Sequence, residues 1–205
     1  MSESLYQKII EQLAAINYRG KVALQFYGEP LIDPRLDERI SFAKSRLPEA
    51  QIVIYSNGDY LTPERFRALI SAGLGKVFVT NHNRNGKLSK ALQELDAYLE
   101  QRPEERRYIS IRNGLHALYN RGGLVEVDES KRIRMTHCIP ESHTLTIDVD
   151  GNVVLCSNDY FGSVSFGNAK DKSLMEIWDK PEFKMLRERK KSGKFDLDIC
   201  KVCTS

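Results

Sequence analysis

No cysteine precedes residue 138 in this 205-residue chain, and only four occur in all. Nor is there an apolar run of about 18 residues, the length a membrane-spanning helix needs, so no membrane partner is expected. An excess of one charge is also missing. The 31 Lys and Arg against 28 Asp and Glu leave a net charge of +3, and basic and aromatic residues do not interleave along one face. Nucleic acid is therefore not an expected partner. The opening Met1-Ser2-Glu3-Ser4 runs straight into a charged amphipathic helix. It has the character of neither a secretory signal nor a transit peptide. These absences point to a cytoplasmic, reducing compartment, in which a disulfide framework fits poorly and thiols stay available for metal.

What is present begins with alternating helix and strand over residues 1–115. Leu5, Ile9, Leu13 and Ile16 recur at helical spacing, with Gly20 placed to close the helix. A buried strand is predicted over residues 22–26, a helix over 36–47, and a strand over 51–55. Thr62 and Pro63 read as the N-cap and first-turn proline of a helix through Leu69. A third strand over 76–80, a helix stripe through Leu88, Leu92, Leu95 and Leu99, and a fourth strand over 107–111 follow. Strands separated by helices of this length imply βα units and a parallel sheet, so the fold class is α/β.

Near residue 115 the pattern changes. Leu145, Ile147 and Val149 alternate into an Asp150-Gly151 turn, and Val153 and Leu155 alternate back to Cys156, as in a β-hairpin. One helix is predicted from about Ser173 to Lys191, ending at Gly193, with a Cys200-x-x-Cys203 tail beyond it. Two domains follow, residues 1–115 and 116–205. The basic run 187–194 reads as a solvated face.

The four cysteines carry the strongest signal. Seventeen residues separate Cys138 from Cys156, 43 separate Cys156 from Cys200, and two separate Cys200 from Cys203. A Cys-x-x-Cys pair brings two thiolates to one centre with little loop-closure cost, and the hairpin can deliver the other two. Four thiolates make a closed Cys₄ site, for an iron–sulfur cluster or a structural zinc. His137 beside Cys138 reads as a bystander. In the first half, three polar loops follow strands: Tyr27-Gly28-Glu29-Pro30, Ser56-Asn57-Gly58 and Asn81-His82-Asn83. Each is by itself ordinary turn chemistry. At the C-terminal ends of parallel strands they also stand where α/β proteins bind ligands.

Taken together, these motifs resemble radical S-adenosylmethionine enzymes with a C-terminal SPASM or Twitch extension. The matching text is Phe26-Tyr27-Gly28-Glu29-Pro30-Leu31, then Tyr55-Ser56-Asn57-Gly58, then Cys138, residues 145–156, Phe166-Gly167-Asn168, Leu174 to Trp178, Cys200 and Cys203. The resemblance implies an incomplete parallel (β/α) partial barrel followed by a small α+β cluster domain. It implies one auxiliary [4Fe–4S] cluster held by Cys138, Cys156, Cys200 and Cys203. It also implies S-adenosylmethionine contacts from Gly28, Glu29, Pro30, Ser56 and Asn57. The family's catalytic Cys-x-x-x-Cys-x-x-Cys loop has no counterpart here. Autonomous catalysis is thus not expected, and S-adenosylmethionine is expected to bind only if that segment is supplied. A missing N-terminal segment or a partner chain completing the barrel, an electron donor or acceptor protein, and a small-molecule or peptide substrate are the expected partners. A Cys₄ zinc module on a degenerate barrel, structural or partner-binding, is the competing expectation.

Overall fold

The computed structural model describes residues 1–83, 85–113, 120–131, 136–138 and 142–204. The chain forms two compact units, Leu13–Leu115 and Met1–Gln12 together with His116–Ser205. The boundary expected near residue 115 lies outside the described residues. The first twelve residues group with the second unit rather than the first. Two contacts show how: the Gln12 side-chain oxygen accepts the Leu174 N–H at 2.6 Å, and Lys8 Nζ donates to the Lys170 carbonyl at 2.5 Å.

The first unit is a four-stranded parallel sheet in the order β1 (Lys21–Ala23), β2 (Gln51–Ser56), β3 (Lys76–Asn81), β4 (Ile109–Asn113). Its register sets Val22 beside Ile52, Ile54 beside Val77 and Val79 beside Ile111. The crossovers contain α2 (Leu36–Arg46), α3 (Pro63–Ser71) and α4 (Lys90–Glu100). α3 packs on both α2 and α4, as expected when sequential parallel strands cross over with one hand. Ile40, Leu47, Phe66, Leu69, Leu92, Leu95 and Leu99 fill the layer between helices and sheet. Ile52, Val53 and Ile54 are all fully buried, the run expected of a central parallel strand. Thr62 caps α3 through Arg65 N–H, at 3.2 Å, as its Thr-Pro start implies.

Three local expectations are corrected in this unit. α1 (Glu3–Ala15) is closed not by Gly20 but by Asn17, at φ 51°. The Asn17 N–H reaches Ala14 O at 2.9 Å and the Tyr18 N–H reaches Leu13 O at 3.0 Å, so the helix's last carbonyls are satisfied before Gly20. The strand expected over residues 22–26 is shorter, and none of Lys21–Ala23 is buried. Among the described residues β1 pairs with β2 alone, and an edge strand has nothing on its outer side to enclose it. β4 begins at Ile109 rather than Arg107, because a 3₁₀ turn from Pro103 to Tyr108 leads into it.

In the second unit the hairpin is present. β5 (Thr146–Ile147) pairs antiparallel with β6 (Asn152–Val154), and a third strand, β7 (Ser165–Asn168), joins the other side of β6. The single helix expected from Ser173 to Lys191 is instead two, α5 (Leu174–Trp178) and α6 (Pro181–Lys191). Pro181 has no N–H to continue a helix and fits only its first turn, so the chain breaks at Asp179-Lys180. The Cys-x-x-Cys pair lies not in a tail but on a further helix, α7 (Asp198–Thr204). Val153, Leu155, Phe166, Ile177 and Phe183 form the core, with Phe166 and Phe183 stacked at 3.9 Å between ring centroids. Among the described residues no helix is long and apolar enough to cross a membrane.

Phe183 is 1 % exposed at the centre of this small core. Phe183→Ala is expected to destabilise the protein by about 3–5 kcal/mol in urea unfolding. The start of α5 provides a pH test. Ser173 and Glu176 form a reciprocal capping box, and the Ser173 side chain holds the Glu176 carboxyl below its usual range. A depressed carboxyl stabilises the fold above its unfolded pKa and loses that contribution as pH falls through the folded pKa. The stability difference between the parent and Glu176→Gln, followed by urea unfolding, should therefore shrink on acidification below the normal glutamate range.

Candidate functional site

The two polar loops after β1 and β2 are joined by one side chain. The Glu29 carboxylate accepts the Ser56 hydroxyl at 2.8 Å, the Asn57 N–H at 2.9 Å and the Leu31 N–H at 3.0 Å. Ser56, 7 % exposed, is the last residue of β2, and its Oγ accepts the Gly58 N–H at 2.9 Å. Pro30 is buried at the first position of a 3₁₀ turn that Glu29 caps. Glu29 thus ties Ser56 and Asn57 to its own loop at the C-terminal edge of the sheet, with Gly28 and Pro30 on either side of it in the chain. A carboxylate offers about four acceptor positions, and three here serve the protein's own donors. The Glu29 side chain therefore acts chiefly as a clamp, leaving backbone groups as the exposed polar surface.

Two glycines shape these loops in opposite ways, one leaving open space and one allowing close packing. Gly28 has φ 119°, and a Cβ there would meet nothing within 4 Å, so open space lies against its backbone. Gly58 has φ 80°, and a Cβ there would come within 2.9 Å of Leu92 and Val79. Its tight turn sets the Ser56-Asn57 segment down on the core. The third loop is organised separately by Asn81, which is 3 % exposed and donates to Gly86 O, Lys87 O and the Asn113 side chain at 3.2–3.3 Å.

The cysteines lie in the other unit, and none of the four is in a disulfide. Cys138 is buried. Its N–H donates to Lys190 O at 3.1 Å, which ties its segment to the end of α6. Cys156 follows β6 directly and, like Cys200, packs against the apolar core. Cys200 and Cys203 stand three apart on α7 and so share a face. The Asn158 amide donates to Cys203 Sγ at 3.4 Å, which brings the loop after Cys156 onto α7. That loop is held in shape by Asp159, 1 % exposed, whose carboxylate accepts Ser163 N–H and Oγ at 2.8 Å and Val164 N–H at 3.1 Å. On the far side of α7, Asn120 donates to Val202 O at 2.8 Å. His137 is exposed and its ring Nδ1 lies 2.9 Å from Thr136 Oγ1.

Burial pushes the Cys200 thiol up to about 11. Lys190 opposes the shift, while Cys138, Cys203 and Asp159 reinforce it. Cys138 and Cys203 are therefore both within electrostatic reach of Cys200. Among the described residues no three His, Cys, Asp or Glu side chains gather as around a single ion. A four-iron cluster makes a different demand, because each thiolate binds its own iron and the sulfurs stand further apart. Largely buried thiols without a disulfide suit that donor set.

Two buried charges escaped the sequence pattern. Arg187 and Lys190, 6 % and 2 % exposed, lie inside the basic run expected to be a solvated face. The Arg187 guanidinium sits over Trp178 at 3.6 Å and Phe183 at 4.4 Å. The available signal was their spacing, since positions three apart on a helix share one side. Asp159 left only the turn-like Ser157-Asn158-Asp159 text after Cys156 as a trace.

Residues 138–204 match the SPASM family model, an iron–sulfur cluster-binding domain. That span contains all four cysteines. The whole chain is also 28% identical, over 208 residues, to the S-adenosyl-L-methionine-dependent 2-deoxy-scyllo-inosamine dehydrogenase of Niallia circulans, covering 81% of that protein. Residues 138–204 thus carry a SPASM-type domain, and the chain as a whole is similar to an S-adenosyl-L-methionine-dependent dehydrogenase. Its fold agrees. The crystal structure of BtrN in complex with AdoMet and 2-DOIA superposes with a TM-score of 0.87 at 28% identity, covering 100% of this chain and 80% of that one. SeMet BtrN in an open conformation gives 0.76 at 25% identity with the same coverage.

Glu29→Gln tests the clamp. The amide replaces one acceptor oxygen with a donor, leaving either the Asn57 N–H or the Leu31 N–H facing an NH₂ group. A loss of about 1–3 kcal/mol in urea unfolding is expected, and an unchanged midpoint would show that the clamp contributes nothing.

Proposed function

We propose that this chain binds one auxiliary [4Fe–4S] cluster through Cys138, Cys156, Cys200 and Cys203, and that it works within an S-adenosylmethionine-dependent oxidation. The observation that carries this reading is the SPASM match over residues 138–204, within which every cysteine of the chain falls. The relative's name describes dehydrogenation of an aminated polyol. We extend that class to this chain: a hydroxyl carbon on a small, amino-substituted ring is the substrate type.

Such a cluster, with a thiolate on every iron, supplies one-electron redox capacity and no open site for a substrate atom. The chain's own residues do the rest. Cys200 and Cys203 present two thiolates from one helical face, Cys156 a third from the end of β6, and Cys138 a fourth from the segment anchored on α6. Asp159 fixes the loop that follows Cys156 and reaches Cys203 through Asn158. In the sheet unit, Glu29 holds the β1 and β2 loops together. The backbone at Gly28 and Pro30, with Ser56 and Asn57 beside it, then receives the polar end of S-adenosylmethionine. Gly28 supports this because nothing occupies the space against its backbone. The open edge of β1 suits a further strand, from an N-terminal segment or a partner chain, that brings the catalytic-cluster loop. An electron donor or acceptor protein completes the set of partners.

Metal and sulfide content after anaerobic purification tests the cluster. About four irons and four sulfides per chain are expected, falling sharply in Cys200→Ser. One zinc and no sulfide would sink the proposal.

A further inference from the structure

Lys190 has no place in the function described so far, and its position is unusual for a lysine. Its side chain is 2 % exposed within a run of basic residues. Its neighbours in the same region pair on the surface, Arg189 with Asp196 and Lys201 with Asp198. Lys190 belongs to neither pair. Its carbonyl accepts the Cys138 N–H at 3.1 Å, which fixes the last turn of α6 against one thiol segment. Of the individual charges that act on Cys200, that of Lys190 is the largest, ahead of Cys138, Cys203 and Asp159.

A buried ammonium is costly unless negative charge offsets it. Here its charge acts on the Cys200 thiol and its backbone holds Cys138, two groups that become anionic when they bind iron, and Asp159 is the one carboxylate whose charge reaches Cys200 as well. A four-iron cluster with four thiolates carries net negative charge in both common oxidation states, and one unit more when reduced. A fixed cation beside it therefore favours the reduced state more than the oxidised one. In a low-dielectric interior this effect is screened far less than at the surface.

We propose that Lys190 tunes the reduction potential of the cluster held by the four cysteines, raising it through the charge of its buried ammonium. The inference rests on the proposed function. Lys190 is a positioning and tuning residue: it binds no iron and touches no substrate. The redox change it favours is a gain of one electron by the oxidised cluster, the donor being the substrate-derived radical in the reaction and dithionite in the test. A higher potential makes that gain more favourable and so suits an oxidation.

The test is a dithionite titration of the anaerobically purified chain, read by electron paramagnetic resonance, with iron and sulfide counted for each variant. Lys190→Met keeps the linear stem and removes the charge, and Lys190→Arg keeps the charge. The methionine variant should titrate at a more negative potential by at least tenfold in the one-electron equilibrium, about 59 mV. The arginine variant should stay near the parent. A methionine variant with full iron and an unmoved potential overturns the proposal. Equal shifts in both variants overturn it too, because packing rather than charge would then be responsible. A methionine variant that folds by circular dichroism but holds no cluster assigns Lys190 to assembly and overturns tuning. A parent chain without iron or sulfide is a separate result, since it removes the proposed function itself.

Discussion

The stacking of Phe166 on Phe183 is the contact on which the cysteine-bearing segments of the C-terminal unit depend. The pair lies at 3.9 Å with its planes 14° apart, and it joins β7 to α6. From it the rest follows in order. β6, paired with β7, points the chain into Cys156. α6 ends where its carbonyl at Lys190 receives Cys138. α7 lays Cys200 against the same core. Closing gaps of 17 and 43 residues costs entropy that grows only slowly with length, about 0.6 kcal/mol per doubling. A few buried aromatics can offset that before any metal bond forms, because full burial of such a side chain contributes about 1.5–3 kcal/mol. The core thus holds the cysteine-bearing segments in place through packing, and under the proposed function the metal bonds would come second.

The sheet unit solves its positioning problem with a polar device. β1 is three residues long, exposed, and paired on one side only among the described residues. A strand so weakly held does not fix the loop that follows it. Glu29 does, by taking two donors from the segment that leaves β2. Because Ile52 to Ile54 are fully buried, β2 is the rigid reference of the sheet, and the clamp transfers that rigidity to the β1 loop. The cost of this design is that the carboxylate is largely used internally. Under the proposed function, recognition would therefore fall to backbone groups and short side chains, with Gly28 leaving open space against its backbone.

The parallel sheet was legible because its signals are redundant. Buried runs such as Ile52-Val53-Ile54, the Thr62-Pro63 start and the Leu92-Leu95-Leu99 stripe each agree with their neighbours. The misreadings occur where one local signal outvoted a neighbour. Gly20 looks like a better helix stop than Asn17, yet the hydrogen bonds of the last turn close first. Leu174 to Lys191 has helical composition throughout, yet one proline divides it. The cysteines were legible as a set because no spare cysteine exists, and the loops Gly28-Glu29-Pro30 and Ser56-Asn57 were legible as neighbours on one sheet edge. That Glu29 binds the second loop was not legible, since a hydrogen bond across 27 positions leaves no periodic trace. Lys190 left a faint trace: its spacing from Arg187 puts both on one side of α6, but nothing in the text says that this side is buried.

Burial and charge at the cysteines pull in opposite directions, and that opposition links the two halves of the C-terminal unit's behaviour. In the metal-free chain, burial pushes the Cys200 thiol up to about 11, so near neutral pH it keeps its proton. Neighbouring thiols reinforce this, because like charges held together cannot all ionise. Iron reverses the balance: a coordinating thiol is deprotonated outright and its charge is neutralised in the bond. Under the proposed function, loading would therefore release protons and turn a site that resists charge into one held together by it. Lys190 stands on the same side of that balance as the iron, since it is the one specific charge that favours the Cys200 thiolate before metal arrives. The sheet unit is outside this linkage, because its core of Ile52, Val53, Ile54, Phe66, Leu69 and Val77 contains no cysteine. Loss of the cluster should accordingly loosen the segments around Cys138 and α7 while the parallel sheet keeps its packing. In hydrogen exchange, chelation is expected to raise amide exchange in residues 136–138 and 198–204 and to leave β2 and β3 protected, and uniform exposure of both units would contradict this separation.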